Sequence, residues 1–275
     1  MRAMTSSADD RAPVAGSAPA ALSPLRGARL AVAAVRSLAT YLAISIYVVL
    51  VGPPGLLVAW LFNWPGILFA LSHGGVGLGL ALSGISPRMA GRDRLPRGRT
   101  AVYCANHTSN IDAPLLFHLL HPRLHMLYKA EFGRMPILGR AAPVAGFIPV
   151  ERQNHEQAQQ AVEQAAESVA RGHSFLVFPE GTRSRTGDLL PFKKGGFIIA
   201  IKAQVPLVPV AIRGGTAAMI KGSRLIRPVE VDVFVGDPIE TAGMTLDDRD
   251  RLIAMARGQI EGMLRDSLAP IVHNE

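Results

Sequence analysis

The chain changes texture once, and sharply. From Ser37 to Pro87 it holds no Asp, Glu, Lys or Arg, and Leu, Ala, Ile, Val, Gly and Phe fill most positions. A helix needs about 20 apolar residues to cross a bilayer core, so this block has room for two. Gly52-Pro53-Pro54-Gly55 and Trp64-Pro65-Gly66 lie inside it, and both predict breaks. After Gly98 short apolar runs alternate with longer amphipathic ones. Residues 100–105, 124–128, 146–150, 174–178, 207–212 and 229–235 read as strands. Asp112 opens a helix as its candidate N-cap, and residues 129–142 mix helix and turn. Asn154-His155-Glu156-Gln157 reads as a capping box for a helix that stops at Gly172. Residues 195–203 form another helix. Residues 246–268 close the chain as an amphipathic helix with Leu252, Ile253, Met255, Ala256, Ile260 and Met263 on its apolar side.

This order predicts an α/β fold: a central, mostly parallel sheet with flanking helices, behind an N-terminal apolar helical anchor. The expected layout is a disordered tail over residues 1–25, rich in Ala, Ser, Pro, Asp and Arg. A membrane-anchoring helical segment follows over 26–94 and a catalytic domain over 95–275.

Charge refines the picture of the apolar block. Arg26, Arg29 and Arg36 precede it, and Arg88, Arg92, Arg94, Arg97 and Arg99 follow it. Basic flanks stay on the cytoplasmic side, so two such flanks imply that the segment enters and returns. It would do so as a helical hairpin or as re-entrant helices in one leaflet. The competing reading is a buried helix pair of a soluble protein. The block starts too late and runs too long for a cleaved signal peptide. The net charge of +8 has no aromatic–basic recognition pattern beside it, so it points to a membrane surface or anionic substrates rather than nucleic acid. The single Cys excludes an intramolecular disulfide framework. Gly75-Val76-Gly77-Leu78-Gly79 offers a small-residue face for close helix packing.

Reactive residues gather after the predicted strands. Asn106-His107-Thr108-Ser109-Asn110-Ile111-Asp112 follows the first one. On a continuous helix His107 and Asp112 would point about 140° apart, so they meet only if His107 lies in a turn before the helix that Asp112 opens. Asp112 would then orient one ring nitrogen and leave the other to take a proton; a capping Asp beside an idle turn His is the alternative. Phe178-Pro179-Glu180-Gly181-Thr182-Arg183-Ser184 leaves another strand with a guanidinium, two hydroxyls and a turn backbone, groups suited to a phosphate. Arg185, Lys193 and Lys194 add charge nearby, and a solvated basic loop is the alternative. Gly146-Phe147-Ile148-Pro149-Val150-Glu151-Arg152 carries a further Arg at a strand end. Val205-Pro206-Leu207-Val208-Pro209-Val210 has no reactive group and reads as a buried or edge strand. Cys104 sits mid-strand as a packed residue rather than a nucleophile. Thr108 and Ser109 lack a nucleophile elbow, and the remaining histidines show no metal-ligand spacing.

These four stretches, in this order, resemble the conserved blocks of the glycerolipid acyltransferase family, particularly its 1-acylglycerol-3-phosphate acyltransferases. The similarity covers about residues 95–215 and includes Leu190-Pro191-Phe192-Lys193-Lys194-Gly195. One departure is Asn110-Ile111, where many members carry an aromatic residue. The resemblance implies a glycerol-3-phosphate acyltransferase-like fold on the cytoplasmic face of a membrane. It implies His107 and Asp112 as catalytic base and orienting acid. Arg183, Glu180, Gly181, Thr182, Arg152 and Lys193 would bind the acceptor phosphate, and Val208 and Pro209 would line an acyl pocket or serve the structure. It further implies lysophosphatidic acid as acceptor, acyl-CoA or acyl-carrier protein as donor, and neither cofactor nor metal. Glycerol-3-phosphate, lyso-ornithine lipid or another lysophospholipid are alternative acceptors, and a non-catalytic lipid-binding membrane protein is the reading from another class.

Overall fold

Two apolar helices precede the sheet, α1 (Gly27–Leu61) and α2 (Gly66–Ser83), in a computed structural model that describes residues 25–151 and 153–266. Nearly all of the expected N-terminal tail, together with Arg152 and the last residues of the chain, lies outside the described residues. At 1.5 Å per residue α1 is about 52 Å long and α2 about 27 Å. Both are long and apolar enough to cross a membrane by length and composition, and only 11% and 22% of their most apolar windows are buried.

The predicted break at Pro53-Pro54 does not form, because α1 runs straight through both prolines. Two neighbours hold the backbone helical there. A Cβ on Gly52 would stand 2.5 Å from Ile137 Cγ2, and one on Gly55 would stand 2.5 Å from Leu71 Cδ1, so packing grips the segment on both sides. Gly52 also lacks the Cβ that makes a residue before proline avoid helical angles. The second predicted break does form: Asn63 takes a positive φ of 47°, and Pro65 is the N-cap of α2. The two helices then pack antiparallel. Gly84 meets Arg36, Gly79 meets Ile44, Gly75 meets Tyr47 and Gly55 meets Leu71. The small-residue face of α2 therefore serves close helix packing, and Tyr47 Oη donates to the Leu71 carbonyl at 2.8 Å.

The sheet has seven strands: β1 (Ser86–Ala90), β2 (Val102–Ala105), β3 (His125–Lys129), β4 (Ile148–Val150), β5 (Phe175–Val177), β6 (Leu207–Arg213) and β7 (Glu230–Val235). Their order is β1-β7-β6-β2-β5-β3-β4. Every neighbouring pair is parallel except β6–β7. The mostly parallel α/β architecture is as expected. The edge strand β1 is not: it falls within the segment assigned to the anchor, so the sheet begins before Arg94. Its sequence, Ser-Pro-Arg-Met-Ala, has no alternation to announce it, and it pairs on one side only.

The helices are α3 (Asp112–Leu120), α4 (Leu138–Val144), α5 (His155–Ala170), α6 (Gly195–Ala203), α7 (Gly215–Ala218) and α8 (Arg249–Asp266). Period-two burial splits the core into two faces. Val102, Cys104, Phe175, Val177 and Leu207 face α5, α6 and α8. Tyr103, Ala105, Leu176, Val208 and Val210 face α3 and the α2 residues Leu68 and Phe69. Leu252, Ala256 and Ile260 put one stripe of α8 into the first face, with none of their surface exposed. Met255, expected on that stripe, is exposed; it lies about 100° from the stripe's centre. Asn154 caps α5 by accepting the Gln157 N–H, whereas the full reciprocal capping box stands at Thr245 and Asp248.

One ion cluster ties the reversed end of the sheet together. The buried Asp232 of β7 accepts from Arg88 Nε of β1 at 2.7 Å and from Arg213 Nη2 of β6 at 2.6 Å. Burial alone would push its carboxyl up, but the two guanidiniums outweigh it and hold the pKa below the ordinary carboxylate value. A carboxyl lowered on folding adds stability that is complete above the ordinary value and is lost as pH falls through the lowered one. Asp232→Ala should therefore destabilise the fold by roughly 2 kcal/mol at pH 7, the half-exposed arginines reducing the full buried-pair cost. The difference from wild type in thermal melts should shrink as the pH falls from the ordinary carboxylate value through the lowered one.

Candidate active site

The turn after β2 is built around one carboxylate. Asp112 is completely buried, and its Oδ2 accepts three N–H groups: Thr108 N at 2.6 Å, Ser109 N at 2.7 Å and His107 Nδ1 at 3.0 Å. Sequence reasoning made Asp112 the N-cap of α3. It is instead the first helical residue, with Ile111 at the cap position, and its side chain turns back into the loop. The reason is local: two main-chain N–H groups and a ring N–H converge on one oxygen, which offsets the cost of burying a charge. The bond to Nδ1 fixes the ring so that Nε2 is the proton acceptor. Phe178 stacks on the ring, with centroids 4.1 Å apart and planes at 21°.

Three neighbours hold this turn in place. Asn106 extends the sheet ladder sideways: its amide donates to the Ile212 carbonyl at 3.0 Å and accepts the Ile212 N–H at 2.7 Å. Ser109 Oγ donates to the Met219 carbonyl at 3.0 Å. Gly215 backs the carboxylate so closely that a Cβ there would stand 2.6 Å from Asp112 Oδ1.

The loop after β5 is bonded directly to the turn after β2. Glu180 Oε1 accepts the His107 N–H at 2.7 Å, Glu180 Oε2 accepts the Leu190 N–H at 3.1 Å, and Ser184 N donates to the His107 carbonyl at 2.8 Å. Glu180 was expected among the phosphate-binding groups. The structure turns its carboxylate toward the main chain instead, where its charge does not oppose an anion. Burial pushes its pKa up, and the two N–H bonds pull it back. Gly181 has a φ of +66°, and Lys193 lies across it: a Cβ at that position would stand 2.9 Å from Lys193 Nζ. Arg183 is half-buried, while Thr182 and Lys193 are exposed.

Among the described residues, sequence and comparison meet in this region. The acyltransferase family model matches residues 86–213. A 1-acyl-sn-glycerol-3-phosphate acyltransferase from Limnanthes douglasii is 34% identical over 206 residues, covering 73% of this chain and 73% of the relative. The chain belongs to the glycerolipid acyltransferase family. The human 1-acyl-sn-glycerol-3-phosphate acyltransferase alpha is 30% identical over 186 residues, or 67% of this chain and 66% of that one. The crystal structure of the 1-acyl-sn-glycerophosphate (LPA) acyltransferase PlsC from Thermotoga maritima superposes with a TM-score of 0.78. It is 23% identical and covers 89% of this chain and 100% of its own, a likeness in fold.

For this acyltransferase the geometry brings His107, Asp112, Glu180, Gly181, Thr182, Arg183 and Lys193 to one edge of the sheet. Val208 and Pro209 sit elsewhere. They are buried inside β6, where Val208 pairs with Tyr103 and Pro209 with Cys104. Val208 is packed within the core. Pro209 lies just before the antiparallel pairing with β7 begins at Val210, and its carbonyl accepts the Gly236 N–H at 2.8 Å. Cys104 is fully buried, and burial, with Glu180 nearby, pushes its thiol far above the ordinary range, so it is no nucleophile. No group of three or more potential metal-ligating side chains occurs among the described residues. Phe178 and Gly215 were missed as site residues. Phe178 opens the block already singled out, whereas Gly215 carries no local signal, since its partner across the fold is far away in sequence.

The backing glycine supplies a test. Gly215→Ala should force the Asp112 carboxylate out of the turn and lower kcat at least tenfold, within the ~10²–10⁴ that base catalysis contributes. Gly258→Ala is the control, because a Cβ there meets nothing within 4 Å in α8. It should keep full activity and raise stability by up to about 1 kcal/mol.

Proposed function

We propose that this protein moves a fatty acyl group from a thioester to the sn-2 hydroxyl of 1-acylglycerol-3-phosphate, giving phosphatidic acid for phospholipid synthesis at a membrane surface. One observation carries the reading: an oriented histidine base and an arginine-bearing loop are joined through Glu180, which bonds the backbone of both turns. The activity for which the relatives in the acyltransferase family are named supports the same acceptor.

In this mechanism Nε2 of His107 takes the proton of the acceptor hydroxyl as its oxygen attacks the thioester carbonyl. Asp112, bonded to Nδ1, stabilises the imidazolium that forms. The tetrahedral adduct collapses, the carbon–sulfur bond breaks, and the imidazolium returns its proton to the departing thiolate. The new ester and a free thiol leave. No acyl-enzyme forms and no cofactor takes part. Arg183 pairs with the acceptor phosphate through its planar fork, and Lys193 adds a second positive charge. Acyl-CoA or acyl-carrier protein serves as donor.

The exposed apolar surface of α1, including Val35, Leu38, Ile46, Val49, Leu50, Leu57 and Trp60, fits a bilayer rather than water. In this reading α1 and α2 anchor the enzyme at the cytoplasmic face, where a lipid acceptor and a soluble donor meet.

His107→Ala should reduce transfer to lysophosphatidic acid by at least ~10²-fold while the protein still sediments with membranes; near-wild-type turnover would remove the base assignment. Arg183→Ala should raise the acceptor KM roughly tenfold or more and leave the donor KM unchanged, as loss of a charge-assisted bond predicts. A hydroxylamine-sensitive acyl label on resting enzyme would replace direct transfer by a covalent route. An acceptor panel of lysophosphatidic acid, glycerol-3-phosphate and lyso-ornithine lipid with acyl-CoA identifies the acceptor by its product.

A further inference from the structure

The segment 219–229, between α7 and β7, holds none of the residues that the sequence singles out for chemistry, yet it reaches the site. The topology explains how. β7 runs antiparallel to β6, so the chain entering β7 lies at the same sheet edge as the chain leaving β2 and β5. There Lys221 Nζ donates to the Arg183 carbonyl at 2.7 Å and to Thr182 Oγ1 at 3.3 Å. Two of its three N–H groups are thereby used.

The charge around this ammonium is unbalanced. Among the described residues, Arg183, Lys193 and Lys221 form no ion pair with a carboxylate. Of the two acidic residues of the same loop, Glu180 has both oxygens on main-chain N–H groups, and Asp188 forms no ion pair among the described residues. Three cations with no acidic partner, one of them holding another's backbone, make an anion site with a prepared third donor.

The segment is also pinned on its far side. Ser37 of α1, whose hydroxyl donates to the Ala33 carbonyl at 2.6 Å, accepts the Ile226 N–H at 2.8 Å, and Tyr41 Oη donates to the Arg224 carbonyl at 2.7 Å. At its base Arg227 N donates to the Ala218 carbonyl at 2.8 Å. The segment is thus a strap between the first apolar helix and the Arg183 loop.

We propose that Lys221 is a third ligand of the acceptor phosphate, held in position by a strap fastened to α1. The proposal rests on the acceptor reading above. Lys221 sets the Arg183 loop through two bonds and meets the phosphate with its remaining N–H. It therefore favours a phosphate-bearing acceptor over a neutral one, and the anchor helix becomes part of the acceptor site.

The test uses the purified full chain in detergent micelles, with lysophosphatidic acid and monoacylglycerol as acceptors and acyl-CoA held saturating. Lys221→Met should raise the KM for lysophosphatidic acid roughly 10- to 100-fold, the range for a lost bond to a charged group. Its kcat/KM for monoacylglycerol should stay within about threefold of wild type, and Lys221→Arg should restore most of the preference. An equal loss with both acceptors would make Lys221 a purely structural residue and overturn the proposal, as would unchanged kinetics. Tyr41→Phe, remote from the reacting groups, should raise the KM for lysophosphatidic acid in the same direction but by only about two- to fivefold, the size of one neutral hydrogen bond. An unchanged KM in that variant would remove α1 from the proposal. Wild-type enzyme inactive on lysophosphatidic acid would overturn the acceptor reading itself, an outcome separate from any effect of Lys221.

Discussion

The three N–H groups that converge on Asp112 Oδ2 are the constraint on which the site depends. A carboxylate with no exposed surface is costly unless its charge is met by donors, and here the backbone supplies two of them. The same bonds that satisfy Oδ2 shape the turn, and the shaped turn aims the imidazole, while Oδ1 stays buried without a hydrogen-bond partner. Orientation of the His107 ring is therefore a by-product of bonding a buried charge. The arrangement tolerates little beside it. Gly215 is required because its backbone lies where any side chain would strike Asp112. Asn106 is required because its amide couples the turn to β6 rather than leaving it to swing.

The sheet makes a second use of the same economy. Parallel pairing of β2 with β5 puts two loops side by side at one edge, and Glu180 locks them by bonding main chain in both. A carboxylate so placed beside a cationic loop would oppose anion binding if it faced outward. Turned inward, it rigidifies the loop and leaves Arg183 and Lys193 with their charge. The antiparallel entry into β7 then brings the 219–229 segment to this edge, which an all-parallel sheet would have sent to the other end.

Much of this was legible in the sequence where the signal is local. Six strands, the Asn154 cap and the buried stripe of α8 follow from short-range periodicity. The pairing of His107 with Asp112 follows from rejecting a continuous helix between them. What escaped is non-local or locally ambiguous. β1 has the composition of a linker, and only pairing with β7 makes it a strand. Pro53 and Pro54 are breakers by any local rule, yet contacts from Ile137 and Leu71 hold them in α1. Glu180 carries the same letters whether it faces ligand or backbone. Lys221 is an unremarkable lysine until the fold sets it on the Arg183 carbonyl.

The apolar helices are more than an appendage to this sheet. Phe69 of α2 lies against Phe117 of α3, with ring centroids 6.1 Å apart, and Leu68 and Phe69 are buried in the core face that α3 covers. Since α3 begins at Asp112, the helix that carries the orienting carboxylate rests on α2 while α1 grips the strap at Ile226 and Arg224. In the proposed membrane-bound state, any tilt of the hairpin must therefore move with α3 and the strap or break buried packing. Interiors packed at crystal-like density resist such local give. The consequence is geometric: the distance of the His107 ring from the bilayer is set by the hairpin, and the acceptor hydroxyl, itself fixed to a lipid, is presented at one depth to a base held at another fixed depth. Positioning of that kind supplies much of the advantage of a bound over a free reactant, and it assigns to the anchor a share of the chemistry that no reactive side chain carries.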